Sequence, residues 1–293
     1  MRRYQFIDQH RDRYPLARLT HTLGVSRSGF YEWHERPISE RARHHEELAE
    51  QVRDVFKEFE SISGSRKIAK ELVDREVKVC RNTVAELMRE MNLQSKAQRR
   101  AFVVTTDSNH LEPIAPNLLD RDFTAERPNE KWVADITYVP TDEGWVYMAA
   151  VMDLFSRRIV GWAVSDSLKT SLVLEALDRA IDTRRPLPGT LTHHSDRGCQ
   201  YASSDHRDRL AALGITCSMS RRGNCWDNAC MERFMNSYKN EWVNHRQYAN
   251  KEEVHHSSFE YIEIFYNRKR RHQTLGYLSP AAFEAKYDSM NAA

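Results

Sequence analysis

Three carboxylates stand where an acid needs a reason: Asp135, Asp196 and Glu232. Asp135 interrupts the apolar run Trp132, Val133, Ala134, Ile136 and Val139, and burying an unpaired carboxylate there is unfavourable. Asp196 follows His193, His194 and Ser195 at the end of a short β-rich run, a strand end at which sheet ligands gather. Glu232 lies in a stretch where Met231, Phe234, Met235, Tyr238 and Trp242 recur at helical spacing and form an apolar stripe. It borders that stripe, about 100° round from Met231, with Asn228, Asn236 and Lys239 at −4, +4 and +7 on the same side. Taken alone, this line of polar groups also describes a solvated helix edge. If the three carboxylates converge, they repel one another and require a cation. Oxygen-only donors select Mg2+ or Mn2+ over zinc. Two such ions about 4 Å apart activate a nucleophile and stabilise the leaving oxygen of a phosphodiester.

The elements that would bring the acids together are legible from residue 131 onward. "KWVADITYVP", "GWVYMAAVMDL" and "RRIVGWAVSD" are three β-rich runs on short connections. "TSLVLEALDRAIDTR" is an amphipathic helix, "GTLTHHSD" a strand, "DHRDRLAALG" a helix and "ITCSMS" a strand, before the helix of Glu232. The pattern predicts an α/β layer with a mixed sheet of five strands over residues 128–245. With its first and fourth strands adjacent and the last helix across their ends, the three acids meet. Beside them, His194 could orient Asp196 or a phosphate, and His193 reads as structural. Trp226 reads as a cap on the core, with base stacking as the alternative.

Residues 1–100 read as helical throughout. In "YPLARLTHTLGVSRSGFYEWHER" a short helix, a Leu-Gly-Val break and a second helix make a helix-turn-helix pattern within residues 1–38. Ser26, Arg27 and Ser28 open the second helix, where side chains reach phosphates and base edges, with Leu19, Leu23, Val25, Phe30 and Trp33 packed behind. An ordinary helical hairpin has the same pattern. Residues 39–100 hold a long helix near 40–59 and a second helix-turn-helix-like unit near 66–76 and 81–91. Residues 101–127 are expected to be a linker, and 246–293 a helical C-terminal region. The basic run "QSKAQRR" suits phosphate contact and equally a solvated linker.

Net charge is only +2, but residues 1–101 carry 21 Lys and Arg against 16 Asp and Glu. A basic N-terminal part on a slightly acidic remainder fits a DNA-binding arm on a metal-using enzyme, and also fits chance. The chain has no apolar run of about 18 residues to span a membrane, and its start lacks the apolar segment of a signal peptide. Five cysteines, at 80, 199, 217, 225 and 230, show no zinc spacing. They predict a reduced, cytoplasmic protein.

The motifs "WVADITYVP", "HHSDRGCQY", "SRRGNCWDNACMERFMNSYKNEW" and "YNRKRRHQTLGYLSPAAF" resemble those of the OrfB transposases of two-frame bacterial insertion sequences, relatives of retroviral integrases. The 35 residues between Asp196 and Glu232 match that family's separation, and Lys239 its basic position. The resemblance covers nearly the whole chain. It departs at "SGSRKI", where Tyr-Gly-Tyr-Arg-Arg is more usual. It implies a ribonuclease-H-like catalytic core, preceded by helix-turn-helix elements and followed by a helical tail. It also implies metal-dependent cleavage of double-stranded DNA at the element's ends and transfer of the freed 3′-OH. Asp135, Asp196 and Glu232 would hold two Mg2+ ions, with Mn2+ as substitute. Lys239 would hold the DNA backbone, while Asn228, Asn236, Arg221 and Arg222 join the expected DNA contacts. The chain would self-associate on DNA and work with the product of the upstream frame, whose module would raise its affinity for the ends. Two other readings share these features: a nuclease or resolvase that cuts without joining, and a DNA-binding regulator with an inert core. The intact acid set argues against the second.

Overall fold

The computed structural model describes residues 2–36, 39–97, 113–221 and 224–292, and the chain divides into two compact units, Met1–Gln51 and Val52–Ala293. Three helices build the small unit: α1 (Arg2–His10), α2 (Leu16–Thr22) and α3 (Arg27–Glu35). They close over Ile7, Leu19 and Phe30, with Leu23, Val25 and Trp33 packed against them. The α2–α3 turn is made at Gly24, whose φ of +62° is natural only without a side chain. Ser26 then caps α3, its hydroxyl accepting from Gly29 N–H at 3.0 Å.

Helix α4 (Glu40–Glu58) crosses the division, and α5 (Ser65–Asp74) and α6 (Arg81–Glu90) follow it. Ile68, Leu72, Val84 and Leu87 are their buried faces. Of the expected linker, residues 101–112 lie outside the described residues; residues 113–127 hold no helix or strand, yet they pack: Leu119 is buried. Backbone and side chains of this segment bond to the far end of the sheet, with Leu118 N–H donating to Ser218 Oγ at 2.9 Å.

The sheet comprises β1 (Lys131–Thr141), β2 (Gly144–Asp153), β3 (Ile159–Ser165), β4 (Thr192–Ser195) and β5 (Thr216–Met219), in the order β3-β2-β1-β4-β5. The first three form an antiparallel meander, and β4 and β5 join parallel to β1. A parallel connection needs a crossover, supplied by α7 (Thr170–Arg184) before β4 and by α8 (Cys199–Ala202) with α9 (Ser204–Ala212) before β5. One sheet face, including Trp132, Ala134, Ala149 and Val151, buries against Leu172, Val173, Ala176 and Leu177 of α7. The alternate residues Val133, Met148, Ala150 and Met152 are buried too, so both faces are covered. Gly161 of β3 allows the close approach of α7, since a Cβ there would lie 2.2 Å from Ala176 O. This strand order and covering give a ribonuclease-H-like layer, as expected.

After a 3-10 turn, Cys225–Asn228, helix α10 (Ala229–Glu241) packs on β1. The predicted stripe of Met231, Phe234, Met235, Tyr238 and Trp242 is buried throughout. Helix α11 (Lys251–Phe259) runs into a π-helical turn, Glu260–Tyr266, and α12 (Pro280–Asn291) closes the chain. The π-helical turn and α10 interleave aromatic rings. Phe234 lies 4.8 Å from Tyr266, Tyr238 5.3 Å from Tyr261, and Trp242 6.1 Å from Phe265, between centroids. Beside them Arg270 pairs with Glu241 at 2.6 Å, and Tyr261 Oη donates to the same carboxylate at 2.9 Å. Arg271 reaches α5, donating to Glu71 and to Asp74, the latter at 2.7 Å. Among the described residues no helix is long and apolar enough to cross a membrane.

Candidate active site

Parallel pairing of β1 with β4 ends at Ala134↔Ser195. The next residue on each strand is an acid, Asp135 and Asp196, so the two begin one strand spacing apart, about 4.8 Å. Each carboxylate is steadied by a neighbouring amide. Ile136 N–H donates to Asp135 Oδ1 at 2.8 Å, and Gly198 N–H to Asp196 Oδ1 at 2.9 Å. Gly198 matters for space as well, since a Cβ there would come within 3.1 Å of Asp196 Oδ1. Glu232 stands in the first turn of α10, half-buried.

Asp196 acts electrostatically on both other acids. The Asp135 carboxyl is pushed well above the ordinary range, first by the protein that covers it, then by Asp196 and by Glu232. Glu232 is pushed up by burial and by Asp196. Buried Tyr201 is raised too, by burial and then by Asp135 and Asp196. Lys239 is the compensating cation. Burial lowers its pKa and Asp135 raises it, and its ammonium sits 5.0 Å above the Tyr138 ring of β1. An oxygen-only set of acids in which Asp196 raises the pKa of the other two fits a hard divalent cation. It is not a finished cage: among the described residues no trio of His, Cys, Asp and Glu is close enough to hold a metal ion as it stands.

Asp227 organises the turn that leads into Glu232, and sequence reasoning missed it. Wholly buried, it accepts from Asn117 Nδ2 at 3.0 Å, Arg121 Nε at 3.0 Å, Arg221 Nη2 at 2.8 Å and Arg221 N–H at 2.9 Å. The Arg221 side-chain bond, ahead of the others, holds its carboxyl well below the usual carboxylate range. The only sequence signal was an acid at −5 from Glu232; Arg221 lies six residues before it, but Asn117 and Arg121 lie more than 100 residues away.

That hub corrects one expectation. Arg221, expected to meet DNA, spends its guanidinium on Asp227 and on Asp120, the latter at 3.3 Å. Arg222 lies outside the described residues. Asn228 is corrected as well: only 3% exposed, it donates from Nδ2 to Ala134 O at 3.0 Å and so ties the start of α10 to β1 beside Asp135. Its Oδ1 is buried with no hydrogen-bond partner. Asn236 is exposed on α10, as are Arg27 and Ser28 on α3, while the Ser26 hydroxyl is engaged as a cap. The acids and Lys239 are therefore gathered in the large unit, and the α3 residues belong to the small one.

His194 does not serve Asp196. Its ring nitrogens bond Ser218 Oγ at 2.8 Å and Ser220 Oγ at 3.2 Å, stitching β4 to the end of β5, and burial lowers its pKa to about 4. His193 is buried beside Tyr201 and His206, a structural placement. Trp226 is 68% exposed and caps no core. The neighbouring Asp227 and Asn228 hold the turn to the protein and leave the indole outside.

Residues 125–225 match the model of the integrase core domain and residues 213–280 a second integrase core model, while residues 43–101 match an HTH-like domain. A 31 kDa protein of insertion element IS600 from Shigella sonnei, itself uncharacterized, is 44% identical over 270 residues, covering 92% of this chain and 98% of its own. Transposase InsF of insertion sequence IS3A from Escherichia coli strain K12 is 38% identical over 286 residues, covering 97% of this chain and 99% of its own. The HTLV-2 integrase catalytic core, solved in complex with magnesium, aligns with 54% of this chain and 97% of its own at 14% identity and a TM-score of 0.42. So low a score adds nothing to the strand order.

Proposed function

The chain belongs to the transposases of IS3-type insertion sequences, and from that premise we propose that it cuts DNA at the ends of its element and joins the freed 3′-OH to a second phosphodiester. The observation that supports the reading is the electrostatic coupling of acids from β1, β4 and α10: Asp196 raises the pKa of both Asp135 and Glu232, and Glu232 raises that of Asp135. Asp135, Asp196 and Glu232 would hold divalent metal, Mg2+ or Mn2+ and two ions in number. When bound, such ions activate the attacking oxygen and stabilise the leaving one. The protein's share is placement. Asn228 fixes where α10 begins, the Asp227 hub fixes the turn before it, and the Ile136 and Gly198 amides hold Asp135 and Asp196 in one rotamer each. Closing the carboxylates on metal removes the repulsion they carry without it. A nicking and strand-transfer assay on element-end DNA, run with Mg2+ and with chelator, tests the reading. Nicking without any joined product would reduce the protein to a nuclease.

Lys239, about 10 Å along α10 from Glu232, would hold a phosphate beside the cut. Lys239→Ala is expected to weaken DNA binding and to flatten the dependence of log K on log salt by about one unit. Preference among sequences should hardly change, because a phosphate contact carries no base information. An unchanged slope would leave Lys239 only its tyrosine ring.

Asn228 acts through Glu232. In Asn228→Ala the Ala134 carbonyl loses its donor, and the start of α10 is freed from β1. Nicking is expected to fall by about tenfold or more, the usual sensitivity to a small misplacement. Binding to end DNA should persist, and more Mg2+ should be needed for half-maximal rate. Wild-type nicking at wild-type Mg2+ demand would show that Glu232 is held without this bond.

Arg27, Ser28 and the 43–101 unit are proposed to contact double-stranded DNA, with two or more copies assembling on it. The product of the upstream frame would add a further binding module, in the bacterial cytoplasm.

A further inference from the structure

At the β1–β2 hairpin, Tyr138 stands opposite Tyr147 and Pro140 opposite Trp145. Residues two apart share a sheet face, so Tyr138, Tyr147 and Trp145 line one side of it. Tyr138 meets both others edge to face, Trp145 at 5.9 Å and 75° and Tyr147 at 6.1 Å and 84°. A T-shaped contact covers at most one face of an indole, and Trp145 is 58% exposed. The hairpin is held in place from both ends of its turn, with Thr141 Oγ1 donating to Gly144 O at 2.8 Å and Asp142 N–H to Tyr248 O at 3.0 Å. Over the Tyr138 ring stands the Lys239 ammonium, 5.0 Å from its centre. Asp135 acts electrostatically on both Tyr138 and Lys239. A fixed, open indole, a supporting tyrosine pair and a cation are therefore strung together from β2 across β1 to the helix that carries Glu232.

We propose that Trp145, backed by Tyr138 and Tyr147, is a stacking platform for an unpaired DNA base whose neighbouring phosphate lies at Lys239. The inference rests on the transposase reading and names what its site takes beside the scissile strand. A base within a duplex has both faces occupied by its neighbours, so only an unstacked one can use the indole. Stacking of this kind is indifferent to base identity, since every base offers a π-face. The chemistry is the same whether the base comes from an opened element end or from a distorted target duplex.

The test uses the full chain in chelator and three short duplexes carrying 2-aminopurine: at an unpaired 3′ end, at a paired end, and at an internal mismatch. Wild type is expected to bind an unpaired probe about tenfold more tightly than the paired one, and to quench its fluorescence on binding. Trp145→Ala should abolish the preference and the quench while leaving the paired duplex bound as before. Trp145→Phe should restore most of both. Response to the unpaired end alone assigns the platform to the element end, and response to the mismatch alone assigns it to the target. Preference and quench that survive in Trp145→Ala, in a protein that nicks, overturn the platform and leave the transposase reading intact. Trp145-dependent preference in a protein that never nicks overturns that reading and keeps the platform.

Discussion

Asp135→Asn, Asp196→Asn and Glu232→Gln are each expected to abolish nicking and joining while leaving DNA binding largely intact. Each change removes a charge at nearly constant volume. The loss at the transition state is several kcal/mol, because a metal-held site depends on every carboxylate that neutralises it. Activity should require Mg2+ or Mn2+ and vanish in Ca2+, which prefers more ligands at longer distances. A second readout follows from the crowding. The Asp135 carboxyl is raised by burial and by its acidic neighbours, so ionising it at neutral pH weakens the metal-free fold. Asp135→Asn should therefore melt higher than wild type in chelator, and Mg2+ should stabilise wild type but not the variant. A Glu232→Gln protein with more than about a tenth of wild-type nicking would remove that acid from the site.

The largest effect on stability is expected at Arg270. Glu241 and Arg270 are both nearly buried. Burial alone would raise the Glu241 carboxyl, but Arg270, with Lys67 and Tyr261, holds it below its ordinary value. Arg270→Met strands that charge and should cost about 3–5 kcal/mol in the unfolding of the large unit, measured by denaturant titration. Adding Glu241→Gln should recover much of the loss, since the stranded charge is then gone. Because the folded pKa of Glu241 is depressed, the pair's contribution is full above the unfolded carboxyl range and is lost as pH falls through the lowered value. A loss for Arg270→Met within about 1 kcal/mol of zero would show that water reaches Glu241.

What could be read from the chain beforehand was what depends on local order. Helix α7 coincides with the predicted run, because an amphipathic repeat capped by turns determines itself. The placing of β4 beside β1 came from strands alternating with helices, and it brings Asp135 next to Asp196. The partners of Asn228, Glu241 and Asp227 were not legible, because they include contacts 94, 29 and 106 residues away that no periodicity encodes. Trp226 was misread for a related reason. A tryptophan beside a buried helix looks like core, and only the clamping of its neighbours Asp227 and Asn228 turns it outward. Ser26 sits at a helix start, where capping and phosphate contact call for the same residue type.

The interleaved rings of α10 and the π-helical turn bear on how this gene can be shuffled. The helix that carries Glu232 and Lys239 completes its buried face only with Tyr261, Phe265 and Tyr266. A crossover between related genes near residue 245 would unite an α10 from one parent with a tail from another, and every ring pair would then need to match by chance. Exchanges that keep both partners from one parent avoid that mismatch. The Glu232 helix and the tail are thus a single heritable block, and variation in one should be answered by variation in the other.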